Sequence, residues 1–402
     1  MRSVVILGST GSIGENTLKV AEDLPDLIRV VGLATQTKVM RVLDQALLFG
    51  VKIIAVENLD AAREAELLAR PHGIAVWAGA EGVAALAALA EADTVVCALV
   101  GLAGLRPVLA ALAAGHDVAL ATKEVLVSAG ELVMRRRAET GVNLLPVDSE
   151  HSALFQCLQS RAYEPACVRH NNSGSPTAED RVARLILTAS GGPFAKRDGV
   201  DFERVTPKQA LAHPRWHMGR KVTIDSATMM NKGLEIVEAH WLFNIPVSKI
   251  GVVVHPESIV HSLVTFVDGS LLAQLSVPDM RFPIQYALTW PDRFRSSLPA
   301  LDLVRQKSLT FDAPDEMRFP CLRLVREAAE TGGTLPAVLN AADEVAVEAF
   351  LTGAIPFAGI WRTVERVMAA HQVCPCADFE TVFETDAWAR NLASEACGLK
   401  KR

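Results

Sequence analysis

The chain has 402 residues, half of them hydrophobic and 21% charged, with a formal net charge of -6. At roughly 150 residues per domain this predicts two or three domains, and the balance excludes a disordered chain, a coiled coil and a dedicated nucleic-acid binder. Seven scattered cysteines without a CxxC pair exclude a disulfide scaffold and fit a reduced compartment; Cys374-Pro-Cys376 reads as two incidental loop thiols.

From the N-terminus, MRSVVIL holds one arginine and a short apolar run, too little for a signal peptide, and reads as a strand. GSTGSIG, residues 8 to 14, follows it and precedes ENTLKVAEDLPD, which has helical period. In that context Gly8 and Gly11 would let the backbone turn and approach a pyrophosphate. Gly14 would let the helix pack closely, and the helix N-terminus would supply amides and partial positive charge. A turn without a ligand is the plain alternative. Where an NAD enzyme places an acid at the end of the second strand, the chain reads ATQTKVMR. It has no carboxylate there, and Lys38 and Arg41 are available to a 2′-phosphate, which favours NADP.

Apolar or β-branched runs at 4–7, 29–34, 51–56, 94–99, 117–120 and 142–147 alternate with helical patterns such as EGVAALAALAEA. This predicts right-handed βαβ units and an α/β fold, with a doubly wound, Rossmann-like parallel sheet over residues 1–148. The most apolar stretch, VVCALVGLAGLRPVLAALAAG, is interrupted by glycines and by Arg106-Pro107. No membrane span is expected, and a soluble, cytoplasmic protein is.

LLPVDSEH ends the last of these strands. Asp148 and Glu150 point to one side in extended chain, and with a third carboxylate they would make an oxygen site suited to Mg2+ or Mn2+ and not to zinc. Equally, Asp148 or Ser149 would cap a helix over EHSALFQCL with Glu150 in its first turn. The polar stretch from 159 to 181 reads as a long surface connection. TASGGPF sets Ser190 in a glycine-rich turn able to offer amides to phosphate, and HPRWHMGRK reads as a lid over substrate or as sheet packing.

In DSATMMNKGLE, residues 225 to 235, a helix would put Asn231 and Glu235 on one face with Lys232 beside Glu235. Such spacing is either a surface ion pair or, with Ser226, a phosphate grip with a metal carboxylate one turn away. In the second case Met229, Met230 and Leu234 form the buried side. VDGS between LVTF and LLAQL predicts a hairpin in a mostly antiparallel sheet, within an α+β unit over 149–289 that carries the lid at about 210–220. Residues 290–314 read as a linker. CLRLVREAAE and LNAADEVAVEAFL have helical period and predict a C-terminal helical bundle over 315–402.

GSTGSIG, LLPVDSEH, TASGGPF, HPRWHMGRK, DSATMMNKGLE, HPESIVHS and LNAADE, in this order and over residues 1 to about 360, closely resemble the 1-deoxy-D-xylulose 5-phosphate reductoisomerase family of the non-mevalonate isoprenoid pathway. The resemblance implies an NADPH-dependent enzyme that rearranges a keto-sugar phosphate to a branched aldehyde and reduces it to 2-C-methyl-D-erythritol 4-phosphate. It implies that Asp148, Glu150 and Glu235 hold a divalent cation (Mg2+, Mn2+ or Co2+), and that Ser190, Ser226, Asn231 and Lys232 grip the phosphate. By the same likeness Lys123 and Ser149 touch the oxygens of the reacting carbons. His213, Trp216 and Met218 form the lid, and His151 and His261 support the site from behind. Thr10, Gly11, Ser12 and Ile13 match the pyrophosphate loop, with Thr122, Glu124 and Gly219 toward the nicotinamide. Two departures stand out: Gln36-Thr37-Lys38 replaces the family's glycine-lysine-asparagine turn, and Thr122-Lys123-Glu124-Val125 replaces asparagine-lysine-glutamate-serine. The first reassigns the 2′-phosphate to Lys38 and Arg41.

Three other readings are open at this level. A divergent NADP reductase of another phosphorylated keto-sugar would share the fold and differ on a panel of sugar phosphates. A semialdehyde-type dehydrogenase would need a positioned cysteine and would die on thiol alkylation, and a non-catalytic NADP sensor would bind NADPH without turnover. The resemblance also implies a homodimer acting on a small phosphorylated sugar, with neither nucleic acid nor membrane as partner.

Overall fold

Residues Arg2–Leu7 form the first strand, β1, because a run of aliphatic and β-branched side chains suits a strand covered on both faces. In the computed structural model, which describes residues 1–159, 181–197, 199–216 and 218–399, this strand is central to a seven-stranded sheet. The other members are β2 (Ile28–Thr35), β3 (Ile53–Val56), β4 (Ala75–Ala78), β5 (Thr94–Cys97), β6 (Asp117–Leu120) and β7 (Leu144–Pro146). Every pairing is parallel and the order is β4-β3-β2-β1-β5-β6-β7. The order reverses between β1 and β5, so the loops after those strands diverge and open a crevice at their carboxyl ends.

The expected doubly wound sheet is present, with one strand more than the sequence suggested. AVWA, β4, escapes notice because it is four residues long, contains two alanines and is partly exposed. The run at 51–56 pairs only from Ile53, and that at 142–147 only over Leu144–Pro146. The helices read in ENTLKVAEDLPD and EGVAALAALAEA are Ser12–Asp23 and Gly79–Ala87. The surface connection expected at 159–181 lies almost wholly outside the described residues.

A second sheet follows, of β8 (Val182–Ala189), β9 (Ile250–Val254), β10 (Val260–Phe266) and β11 (Leu271–Leu275), in the order β11-β10-β8-β9. β10 is antiparallel to both neighbours, whereas β8 and β9 are parallel. A parallel pair needs a long crossover, and the helices Arg220–Thr228 and Met230–Phe243 supply it. The hairpin expected at VDGS joins β10 to β11, with Gly269 at φ 86° and the Phe266 amide donating to the Ser270 carbonyl at 2.9 Å. Residues 290–314 carry only the short helix Leu303–Gln306 and a bridge from Asp312 to Val254.

Four helices complete the chain: Cys321–Thr331, Leu335–Leu351, Gly359–Ala370 and Phe379–Ala396. They pack with Met230–Phe243 around a second core that includes Met230, Leu234, Val237, Val325 and Val338. Gly233 sits where this helix meets Cys321–Thr331; a Cβ there would lie 2.6 Å from a Val325 methyl, so NKGLE needs its glycine for close approach. Leu234 is fully buried. Leu234→Ala is expected to cost about 2–5 kcal/mol, to be read as a shifted urea midpoint at unchanged slope.

Candidate active site

The glycine loop turns where β1 ends. Gly8 has φ 85°, and a Cβ on it would lie 2.4 Å from the Ala98 carbonyl oxygen; a Cβ on Gly14 would lie 2.4 Å from the Gly8 oxygen. Both glycines are thus needed to fold the loop tightly over the start of helix Ser12–Asp23. No side chain caps that helix, whose N-cap is Gly11, so its first amides are open to a pyrophosphate. The Lys38 ammonium donates to the Thr10 carbonyl at 3.2 Å, which brings it to the loop's edge. Arg41 pairs instead with Glu15 at 3.1 Å; both are well exposed, so the pair is weak and an anion can draw the guanidinium away. Thr122 is buried, its hydroxyl donating to the Leu99 carbonyl at 2.5 Å.

One cleft runs from this loop to the second sheet. Ser12, Ile13, Lys123, Asp148, Ser149, Glu150, Ser190, His213, Trp216, Met218, Gly219, Ser226, Asn231, Lys232, Glu235 and His261 all line it. Thr10, Gly11, Lys38, Thr122 and Glu124 are not among its lining residues, and neither is any described cysteine.

Asp148 and Glu150 do not lie in extended chain. Asp148 caps the helix Ser149–Leu158, accepting from the Glu150 amide at 3.3 Å, so the capping alternative describes the local backbone. Capping does not prevent convergence: one carboxylate oxygen from each of Asp148, Glu150 and Glu235 lies within 4.8 Å of the others. Two ammoniums hold the three acids together. Lys123 donates to Asp148 at 2.5 Å and to Glu235 at 3.0 Å, while Lys232 donates to Glu150 at 2.8 Å and also to Glu235. Against the effect of burial, Lys123 holds Asp148 well below the usual carboxylate range. Burial first, and then the Glu235 charge, push Glu150 up to about 7. Three crowded carboxylates that need neighbouring cations form a donor set of oxygens alone, which fits Mg2+ or Mn2+.

His151 is fully buried behind this cluster. Its Nε2 donates to the Glu235 carbonyl at 2.8 Å, while Nδ1 lies 3.3 Å from Glu238 and 3.6 Å from Asp148. Although burial pulls the other way, Glu238 and Asp148 raise the imidazole to about 9, and the Nε2 bond ties the helix that Asp148 caps to the helix that carries Glu235. His261 lines the cleft and is bonded to Ser276 at 2.9 Å; burial pulls it down to about 4.

DSATMMNKGLE is not one helix. Met229 adopts a left-handed backbone (φ 65°) that ends Arg220–Thr228 and starts Met230–Phe243. The break puts Ser226 on one helix and Asn231, Lys232 and Glu235 on the first turns of the next. Met229, Met230 and Leu234 are buried as expected, but so are Lys232 and Glu235, which excludes the solvated-face alternative. Asn231 donates to Glu235 at 2.5 Å. Gly192 has φ 65°, and a Cβ on it would lie 2.6 Å from the Ser226 carbonyl oxygen, so the glycines of TASGGPF bring Ser190 and Ser226 to the same wall. His213 accepts the Arg215 and Trp216 amides on Nδ1, at 3.2 and 2.9 Å, which leaves Nε2 to donate to Ser190 at 2.8 Å.

Glu238, Thr188 and Ser258 are polar groups around the cleft that the sequence did not single out. Glu238 lies one helical turn beyond Glu235, a spacing that could have flagged it. Ser258, with φ 53°, is held by His255, whose Nε2 accepts the Ile259 and Val260 amides; no local pattern announces that.

Family models match the chain in three blocks: 1-deoxy-D-xylulose 5-phosphate reductoisomerase over residues 4–130, the C-terminal domain of the same enzyme over 144–243, and the DXP reductoisomerase C-terminal domain over 275–392. A protein named 1-deoxy-D-xylulose 5-phosphate reductoisomerase from Chlorobium chlorochromatii is 51% identical over 393 residues, 98% of this chain and 99% of its own. Its namesake from Pelotomaculum thermopropionicum is 49% identical over 98% of this chain and 97% of its own. Among solved structures, the Zymomonas mobilis enzyme in complex with NADPH superposes with a TM-score of 0.88 at 40% identity, covering 98% of this chain and 99% of that one. A DOX-P reductoisomerase in complex with NADPH, fosmidomycin and magnesium gives 0.90 at 39% identity, covering 99% and 98%.

Proposed function

The chain belongs to the 1-deoxy-D-xylulose 5-phosphate reductoisomerase family, and from that premise we propose how its residues divide the NADPH- and metal-dependent conversion of 1-deoxy-D-xylulose 5-phosphate to 2-C-methyl-D-erythritol 4-phosphate. The observation that carries the reading is the convergence of Asp148, Glu150 and Glu235 in a cleft that also reaches the glycine loop. The three carboxylates are the cation's ligands, and a divalent cation held there supplies Lewis acidity to neighbouring substrate oxygens. Thr10, Gly11, Ser12 and Ile13 would hold the pyrophosphate of NADPH, with Gly219 and Glu124 serving its nicotinamide end, and the cofactor would supply the hydride.

The chain's own groups do the rest. Ser190, Ser226, Asn231 and Lys232 bind the phosphate; Lys232 is free to do so once the charge it now neutralises on Glu150 and Glu235 is taken over. Lys123, fixed between Asp148 and Glu235, keeps a protonated donor beside the reacting oxygens, with the Ser149 hydroxyl next to it. Against burial, the Asp148 and Glu235 charges raise Lys123 well above its ordinary range, and its ammonium orients and stabilises negative charge. The His213 ring orients Ser190, and Trp216 and Met218 exclude water from the reacting carbons. An assay of NADPH oxidation with the keto-sugar phosphate tests the reading: turnover without any divalent cation would sink it.

Lys38 and Arg41 read the 2′-phosphate in place of the family's usual turn. Lys38→Ala and Arg41→Ala are each expected to weaken NADPH binding about tenfold and NADH binding hardly at all. Titration of both cofactors by fluorescence checks this, and equal losses for the two would reassign the residues.

Residues 1–148 form the cofactor unit, 149–289 the catalytic unit, 290–314 the linker and 315–402 the helical unit. Membership of this enzyme family supports work in the cytoplasm. No helix among the described residues is long and apolar enough to cross a membrane. It works as a homodimer: β11 is an edge strand with Leu271 and Leu272 about half exposed and Val267 beside them, an apolar edge that a second copy would cover. Sedimentation at micromolar concentration should return twice the chain mass.

A further inference from the structure

Lys221 lies at the centre of three carboxylates from three parts of the chain. Its ammonium is 2.8 Å from Asp225, 3.3 Å from Glu124 and 3.4 Å from Asp343, and all three acids are more than nine-tenths buried. One cation for three buried acids leaves the group short of positive charge. Burial first, and then the Asp225 carboxylate, push Asp343 well above the usual range. Such a cluster is a poor device for stability, since desolvation of buried ions offsets their attraction and apolar replacements are often as stable.

Its placement suggests another use. Glu124 follows Lys123, Asp225 precedes Ser226, and Lys221 lies two residues beyond Gly219. Lys221 is also in the first turn of Arg220–Thr228, a helix that no side chain caps and that continues directly from the segment carrying His213 and Trp216. None of the four lines the cleft, but Glu124, Lys221 and Asp225 each adjoin a residue that does, whereas Asp343 comes from the bundle helix Leu335–Leu351, where Asn340 and Glu344 flank it.

We propose that Lys221 is a positioning residue: anchored on Asp343 of the bundle, it fixes Glu124 against Asp225 and so sets Lys123, Ser226 and the root of the lid in one geometry. The inference rests on the functional reading above. The bundle is then a template for the active site as well as a source of buried area. Misplacement of reacting groups by an ångström slows chemistry without abolishing binding of the metal, whose ligands lie on other turns.

Lys221→Met and Asp343→Leu test it through four readouts: kcat/KM for each substrate, the primary isotope effect with NADPH deuterated at the transferred position, the Mg2+ activation constant, and NADPH affinity by fluorescence titration. Both variants should lose at least about tenfold in kcat/KM with a larger isotope effect, while the Mg2+ constant stays within about twofold. A folded variant of either kind with wild-type kcat/KM and isotope effect overturns the proposal. Should Lys221→Met fail to fold, Asp343→Leu, of similar size and unable to accept from the ammonium, decides alone. Absence of turnover in the unsubstituted chain would instead sink the functional reading. NADPH affinity then judges this one: about tenfold weaker binding in Asp343→Leu supports it, and unchanged binding overturns it.

Discussion

Glu235→Gln is expected to lower kcat at saturating Mg2+ by about 10^3-fold, or ~4 kcal/mol of transition-state stabilisation, with the fold intact. The Glu235 side chain is almost completely buried, and its carboxylate meets Lys123, Lys232 and Asn231 at once. The amide keeps the shape and one acceptor but removes the charge that the other two acids need as a third ligand. Stability should fall by no more than about 1–3 kcal/mol: the amide NH2 must face one of the donors that now meet the carboxylate, while the cluster changes from three carboxylates facing two ammoniums to two facing two. Thermal unfolding and NADPH binding are the controls, and excess chelator on the unsubstituted chain should reproduce the loss. Undiminished turnover in the variant, or in chelator, would refute the metal role of these acids.

Gly14→Ala is expected to weaken NADPH binding by about 10^2-fold or more and to destabilise the chain by about 1–3 kcal/mol. The added methyl would lie 2.4 Å from the Gly8 oxygen and from the Ser9 Cα, both backbone, so no side-chain rotation relieves it. The loop must open, and its amides then leave the positions from which they face a pyrophosphate. Isothermal titration with NADPH, beside a urea melt, separates the two effects. Wild-type affinity in the alanine variant would show that the tight turn is unrelated to cofactor binding.

The two substitutions test parts of the chain that were unequally legible. GSTGSIG between a strand and a helix states its own geometry, because steric limits on glycine and the amides of a helix start act within a few residues. DSATMMNKGLE does not. Its spacing permits a surface ion pair, and the sequence contains nothing to announce that Met229 takes a left-handed backbone and splits the segment in two. Nor does DSEH choose between capping and metal ligation; Asp148 is an N-cap whose second oxygen faces the cluster, so both readings describe it. Arg41, which we assign to the 2′-phosphate, rests on Glu15, an exposed pairing that depends on how two helices meet.

Sequence alone thus determined the parallel sheet, the hairpin, the helical C-terminus, the tight glycine turn and the family, because each is written in local periodicity or in an ordered string of motifs. Tertiary structure decided what Lys232 and Lys123 touch, across 82 and 112 residues of chain, that His151 stands behind the acids between Glu238 and the Glu235 carbonyl, and that Lys221 joins the bundle to the site. Those are encounters between charges brought out of water together. Their partners and protonation follow from the low-dielectric space the whole fold encloses, which no short stretch of sequence contains.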